Sequence, residues 1–296
     1  MAEIKQYYEK FKFNILIIMD ELFAVNRQRM NDFCNALIEN REKYGWDFDF
    51  CFQTHANARL DLDSLKLAKK AGCIFFSYGL ESASEKVLKS MNKKTRISQI
   101  IEAIDLAKRA GVGFSGNLIF GDPAEDNESM YDSLNFYAKY GQDTQIFLSH
   151  LMPYPGNKLF DYCIEKKIVA DKEQYYENIE QNLYNMTSMP DHLWASWVQF
   201  IAIMESSWFW VKDTTAISVE EEKEYSDPVI KRNGRIYQIR AVCPYCGTSL
   251  CYREMIAPGN MPRFLGTGCT SCNKKIKVNL RIPVVVKEKE EAKVCL

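Results

Sequence analysis

The chain has 296 residues, 47% hydrophobic and 26% charged, with 38 Lys and Arg against 39 Asp and Glu for a formal net charge of −1. That composition excludes a collagen-like, disordered or membrane-spanning chain and suits one large domain plus a small one. It also makes the chain as a whole no electrostatic magnet for nucleic acid or anionic lipid. Ten cysteines are too few for a disulfide scaffold, yet four of them crowd into one stretch near the C-terminus.

The first apolar run, Ile15 to Met19, is far shorter than a signal-peptide core or a span of roughly twenty residues, so a cytoplasmic location is expected. In a reducing compartment clustered cysteines are more often metal ligands than disulfides. The scattered Cys34, Cys51, Cys73 and Cys163 lie in apolar periodic segments, where a thiol acts as a small buried hydrophobe.

A strand-like run from Phe13 to Met19 stops at Asp20 and Glu21, after which Met30, Phe33, Cys34, Leu37 and Ile38 recur at helical spacing. The unit repeats. A strand from Asp49 to Thr54 precedes a helix that Asp61 caps and Gly72 ends. A strand from Cys73 to Tyr78 leads through Gly79 and Glu81 to a short helix and then a longer one, with Ile97, Ile100, Ile101, Ile104 and Ala107 on one face. Val112–Phe120 and Thr144–Leu151 supply two more strands, each followed by a helical segment. Five strands alternating with helices predict a parallel α/β sheet, either open and doubly wound or an incomplete barrel.

In both architectures ligands bind at the C-terminal edges of the strands. Asp20 and Glu21 follow the first strand; His55, Asn57 and Arg59 the second; Glu81 and Ser82 the third; Gly121 to Glu125 the fourth; His150 and the turn Pro153 to Gly156 the fifth. Asp20 and Asp122 taken singly are ordinary helix caps, and the proline turn taken singly is a rigid corner. Collected on one edge, two carboxylates, an arginine, a further carboxylate and a glycine turn suit a zwitterionic or polyhydroxylated ligand.

From about Phe13 to Val169 the order of motifs resembles the core of radical S-adenosylmethionine (SAM) enzymes, particularly the branch that often carries a cobalamin-binding domain upstream. The resemblance rests on Asp20 to Phe23 with Asn26 and Arg29, on Arg59 to Asp61, and on Ala71 to Cys73 leading into Gly79 to Ser82. It continues with Val87 to Lys93, Ala110 and Gly111, Gly116 to Glu125, and Pro153 to Gly156 followed by Leu159 and Phe160. It implies an incomplete radical-SAM-type (β/α) barrel over residues 1–180. Asp20 and Glu21 stand where many members carry a Gly-Gly-Glu turn for the amino group of the methionine moiety, and the acidic pair departs from that turn while still suiting a cation. The resemblance implies that Arg59 forks onto the ligand carboxylate, the alternative being a structural pair with Asp61 or Asp63. It puts Glu81, with Ser82 adjacent, at the ribose or amino group and the Gly121 turn at adenine; Glu125 is expected to cap or tether the following helix.

The departure from the family is as informative. Such enzymes hold a four-iron four-sulfur cluster on three cysteines spaced C-x3-C-x2-C, and no such triplet occurs here. The chain is therefore expected to be the C-terminal portion of a radical enzyme, from the second strand onward, with the cluster, and cobalamin where it is used, supplied by a missing upstream segment or another polypeptide. On its own it is expected to be inactive. Methyl transfer or rearrangement of a small-molecule or carrier-bound substrate is the implied class of reaction.

Residues 181–232 read as an aromatic-rich helix, with Trp194, Trp197, Phe200, Ile201 and Met204 on one face and Trp208 and Trp210 beyond, followed by an acidic linker from Glu220 to Asp227. Residues 233–284 contain two C-x2-C knuckles, Cys243 with Cys246 and Cys269 with Cys272, the spacing of a four-thiolate structural zinc site in a small β ribbon. A rubredoxin-like iron or iron-sulfur site is the minority alternative, and Cys251 is a spare expected to pack. Residues 285–296 form a charged tail. Between Lys231 and Arg281 ten basic residues face one acidic residue, Glu254. The alternative to a radical enzyme is thus a non-catalytic zinc-ribbon protein that binds RNA or a protein partner.

Overall fold

The computed structural model describes residues 1–20, 23–24, 26–54, 58, 60–142, 144–179, 183–207, 211–226, 233–258, 261–272 and 274–286. They divide into two compact units, 1–207 and 208–296.

The first unit opens with helix α1 (Ala2–Phe11), ahead of the first strand. It continues β1 (Ile15–Ile18), α2 (Arg27–Tyr44), β2 (Asp49–Thr54), α3 (Leu62–Lys70), β3 (Cys73–Glu81), α4 (Glu85–Ser90), α5 (Ile97–Ala110), β4 (Gly113–Phe120), α6 (Asn127–Tyr140), β5 (Gln145–His150), α7 (Lys158–Glu165), α8 (Lys172–Glu177) and α9 (Asp191–Ser207). The five strands are all parallel and stand in the order β1-β2-β3-β4-β5. Each strand pairs with the one before it in sequence. That order has no reversal point, so the sheet is the arc of a barrel rather than a doubly wound sheet.

Local chemistry sets the helix ends. Asn26 Oδ1 accepts from the amides of Gln28 and Arg29 at the start of α2, Asp61 Oδ1 accepts from Ser64 N at the start of α3, and Asn157 Oδ1 accepts from Phe160 N at the start of α7. The core of the sheet is aromatic. Phe52, Phe76 and Phe114 are register partners on three neighbouring strands, with ring centroids 5.8 and 5.7 Å apart, and all three are buried.

Beyond Tyr78, which pairs with Gly116, the register slips, so that Glu81 pairs with Leu118. The bulge turns Leu80 down onto Gly116, where a Cβ would lie 2.7 Å from both Leu80 Cγ and the Tyr78 carbonyl. Gly116 is thus the space into which the bulge folds. Gly116→Ala is expected to destabilise the first unit by about 2 kcal/mol, read by urea denaturation; a variant as stable as the parent would mean that Leu80 has room to move.

The second unit holds two sheets. One has the order β10-β11-β6, built from β6 (Lys212–Thr215), β10 (Phe264–Gly268) and β11 (Lys275–Asn279); the other has the order β12-β7-β8-β9, built from β7 (Ser218–Ser226), β8 (Asn233–Val242), β9 (Ser249–Pro258) and β12 (Val284–Val286). Val219, Ile239, Ile276 and Val278 are buried in its core. The segment expected to be an acidic linker is largely strand β7. Its glutamates find partners on β8 that lie too far away in sequence to be read as a pattern: Glu221 pairs with Arg235 at 2.8 Å and Glu220 with Arg240 at 3.9 Å.

Candidate cofactor site and metal centre

Among the residues that follow the five strands, Glu21, His55, Asn57 and Arg59 lie outside the described residues. Asp20 is described, and its Oδ2 lies 2.8 Å from Arg29 Nη2, whose guanidinium also sits over the Phe23 ring at 5.4 Å. Both members of the pair are half-exposed, so the bond is weak and open to competition from an entering cation. Asp61 is a cap. The Ser64 amide, together with Arg27 at 2.5 Å, holds its carboxyl below the usual range.

Glu81 has the least ordinary geometry. Its φ is +61°, a left-handed conformation that costs about 1–2 kcal/mol for a residue with a side chain. Its Oε1 lies 2.6 Å from Lys93 Nζ, with both side chains largely enclosed. Lys93 is delivered by the end of α4, where Asn92 is left-handed (φ +55°), Asn92 N donates to the Lys89 carbonyl and Lys93 N donates to the Leu88 carbonyl. That is a Schellman closure. Ser82 turns the other way: it is 1% exposed, its Oγ is 3.2 Å from Ser133 Oγ, and it accepts from Ser84 N. Its hydroxyl is held in the junction between β3 and α6.

At the end of β4, Gly121 has φ +114° and its amide donates to Glu125 Oε2 at 2.5 Å, so the Glu125 side chain ties back the strand-end turn rather than the helix that follows. Asp122 closes the same turn by accepting from Ala124 N, and Asp126, not Glu125, caps α6. Glu125 is 1% exposed, and burial pushes its carboxyl up to about 7. Trp194, from α9, lies against this turn: a Cβ at Gly121 would be 3.3 Å from its ring, and the ring meets His150 edge-on at 5.9 Å. Glu125 Oε1, His150 Nε2 and Trp194 Nε1 are all buried with no protein partner. Burial also lowers the His150 pKa, favouring the neutral ring. Buried polar groups of this kind are satisfied by a ligand or by ordered water. The aromatic face of α9 packs as expected at Trp194, Trp197, Ile201 and Met204, but Phe200 is 45% exposed. Trp208 and Trp210 lie outside the described residues. The Pro153 turn is pinned by Tyr175 Oη, which donates to the Pro153 carbonyl.

The sheet's other side is open. β1 is an edge strand, and Ile15, Ile17 and Met19 are 48%, 59% and 72% exposed. Ile17 and Met19 border a cavity of about 530 Å³ between α1, β1 and α2, with Asp20 in its lining.

In the second unit the four knuckle cysteines converge, their sulfurs all within 4.8 Å of one another. Cys243 and Cys272 sulfurs are 3.8 Å apart and Cys246 and Cys269 sulfurs 3.7 Å. A tetrahedral ion at ~2.3 Å from each thiolate requires sulfur separations of about 3.8 Å, whereas a disulfide requires ~2.05 Å. The donor set therefore fits a metal. The amides of Tyr245, Ser271 and Cys272 point at Cys243 or Cys269 sulfur at 3.4–3.5 Å, as suits thiolate acceptors. Cys251 does not pack; it is exposed on β9. The scattered Cys34, Cys51, Cys73 and Cys163 are all buried, and desolvation pushes each thiol up, Cys34 to about 12 and Cys163 to about 11. Thiols so disposed are poor metal ligands.

Residues 2–137 match the family described as the radical SAM superfamily. An uncharacterized methyltransferase of Pyrococcus horikoshii is 26% identical over 172 residues, covering 57% of this chain and 36% of its own. The anaerobic magnesium-protoporphyrin IX monomethyl ester cyclase of Rubrivivax gelatinosus is 28% identical over 174 residues, 58% of this chain and 30% of its own. The chain thus spans about a third of the length of these curated relatives. Among solved structures, the radical SAM methyltransferase TsrM of Kitasatospora setae, bound to tryptophan and a SAM analog, aligns with a TM-score of 0.46 at 11% identity, over 57% of this chain and 33% of its own. No helix among the described residues is long and apolar enough to cross a membrane.

Proposed function

Because residues 2–137 match the radical SAM superfamily, we propose that the first unit binds S-adenosylmethionine along the C-terminal edges of its strands as one part of a radical enzyme. The observation that carries this reading is Glu81, a carboxylate held at a strand end in a strained left-handed backbone with Lys93 on one oxygen. Strain of that kind is kept where a ligand needs the group. Glu81 then accepts from the ammonium or ribose hydroxyls of the ligand, Asp20 meets its cationic end with Glu21, and Arg59 takes its carboxylate. The Gly121 turn, backed by Glu125 and Trp194, lies against adenine.

A four-iron four-sulfur cluster supplies the electron for cleavage in enzymes of this family. This chain has no C-x3-C-x2-C triplet, and its scattered thiols are buried, so the residues present do not hold one. The cluster ligands come on a strand from outside this sequence, and the open edge of β1, apolar and bordered by its cavity, is where that strand pairs. Methyl transfer, with cobalamin held on a further domain, is the reaction class favoured by the methyltransferase among the relatives. The four knuckle cysteines hold a structural zinc ion; with four thiolates bound it has no open position.

The test is to join a segment carrying C-x3-C-x2-C ahead of residue 1, reconstitute iron and sulfide anaerobically, and measure release of 5′-deoxyadenosine from SAM. Release is expected, with Glu81→Gln lowering SAM affinity roughly tenfold or more. A reconstituted cluster that never cleaves SAM, or a Glu81→Gln protein that binds it as the parent does, would end the reading.

A further inference from the structure

The excess of basic residues in the second unit is unevenly used. On the four-stranded sheet Arg235 and Arg240 are paired with Glu221 and Glu220 of β7. On the three-stranded sheet Lys277 is paired with Asp213 at 4.0 Å. That sheet's register places Phe264, Gly266 and Gly268 of β10 opposite Asn279, Lys277 and Lys275 of β11, and Asp213 and Thr215 of β6 opposite Lys277 and Asn279. These alternate with the inward Ile276 and Val278, so all of them share the outward face.

Three features of that face point to one class of partner. Phe264 is 48% exposed, with Lys277 Nζ 4.9 Å from its ring centroid. Lys275 and Lys277 are joined at the sheet margins by Arg263, just before β10, and by Lys274 and Arg281, just outside β11; among the described residues of the three strands the acidic side chain is Asp213, 4.0 Å from Lys277. Gly268 leaves a bare position beside Lys275 that the fold does not require, since a Cβ there would meet nothing within 4 Å. Glycine weakens a strand, and one that packing does not need marks a place where another chain passes close to the backbone.

We propose that this face binds single-stranded nucleic acid without reading its sequence: a base stacks on Phe264, the sugar-phosphate chain crosses Gly266 and Gly268, and phosphates meet Lys275, Lys277, Arg263 and Arg281. An exposed ring beside a row of cations on a flat sheet is the combination such binding uses. The proposal stands apart from the SAM reading, since no residue of the first unit enters it.

The test is fluorescence anisotropy of the zinc-loaded full chain with a short oligouridylate, the matching oligodeoxythymidylate, a duplex of equal length, and a polyglutamate of equal charge. Binding to one or both single strands is expected, weakening with salt at a log–log slope of about −2 to −3, as three to four phosphate contacts give; the two oligonucleotides distinguish RNA from DNA. Phe264→Ala should weaken it roughly tenfold with the slope unchanged. Lys275→Gln with Lys277→Gln should reduce the slope by about 1 to 1.5, while Arg235→Gln leaves it alone. Gly268→Leu, which the open space accommodates, should keep its metal and its secondary structure yet bind more weakly. The proposal is overturned if neither single strand binds, if the duplex or polyglutamate binds as tightly, or if Phe264→Ala and Gly268→Leu bind as the parent does.

Discussion

Replacing Cys269 by serine is expected to strip the metal from the second unit and unfold it, leaving the first unit folded. Cys269 is 2% exposed and its sulfur receives two backbone amides, from Ser271 and Cys272. The knuckles it joins lie in the loop between β8 and β9 and between β10 and β11, so they tie two sheets of one small core. Such a core is thin, and metal affinity in sites of this kind contributes on the order of 10 kcal/mol to folding. Elemental analysis should find about one zinc per parent chain and little in the variant. Hydrogen exchange should lose protection over 211–286 while β2 to β4 keep theirs. Cobalt substitution should give the spectrum of a tetrahedral four-thiolate ion. A variant that kept both metal and protection would mean that three thiolates suffice and that the site is not what holds this unit together.

Glu125→Gln is expected to make the first unit more stable in alkaline buffer and no more stable in acid. Burial pushes the Glu125 carboxyl up to about 7, well above the ~4.3 of an unfolded glutamate. Between those values the folded chain keeps a proton that the unfolded chain releases, so stability is full below about pH 4.3 and falls as pH climbs towards 7. The loss above pH 7 is of the order of 3 kcal/mol. A glutamine keeps an acceptor for the Gly121 amide and has no charge to desolvate. At pH 8 it should raise the melting temperature of this unit by roughly 5–10 °C, and at pH 4 the two proteins should melt together or the parent slightly higher. Equal melting at both pH values would show that the carboxyl is already solvated or paired.

How much of this was legible beforehand depends on the range of the interaction. Most strands and helices of the first unit follow from apolar periodicity over a dozen residues, and the cap Asp61 from a single side chain beside its own helix. The knuckles are equally local. Helix α1 is a weaker pattern: Ile4, Tyr7, Tyr8 and Phe11 fall at helical spacing, but charged residues crowd the same segment and none of the four is fully buried. Other features depend on distant partners. Nothing in the order of residues announces that Glu81 adopts a left-handed backbone, because the bulge that imposes it depends on Gly116 across the sheet. The edge-on contact of His150 with Trp194 joins two separate elements, β5 and α9. Strand β7 reads as a solvated charge run until Arg235 and Arg240 are placed beside it.

The strand order has a consequence for how the chain is made. Every strand of the first sheet pairs with the one synthesised just before it, so that sheet can assemble in the order in which it leaves the ribosome, each new strand finding its template already formed. The second unit cannot. Its earliest strand, β6, pairs with β11, and β7, besides pairing with the β8 that follows it, also takes β12, the last strand described. Both must wait for some sixty further residues and for the second pair of thiolates. During that interval the exposed edges of β6 and β7 and a half-built metal site are open together, which makes the second unit the part of this protein most dependent on metal supply and on chaperones at the moment of synthesis.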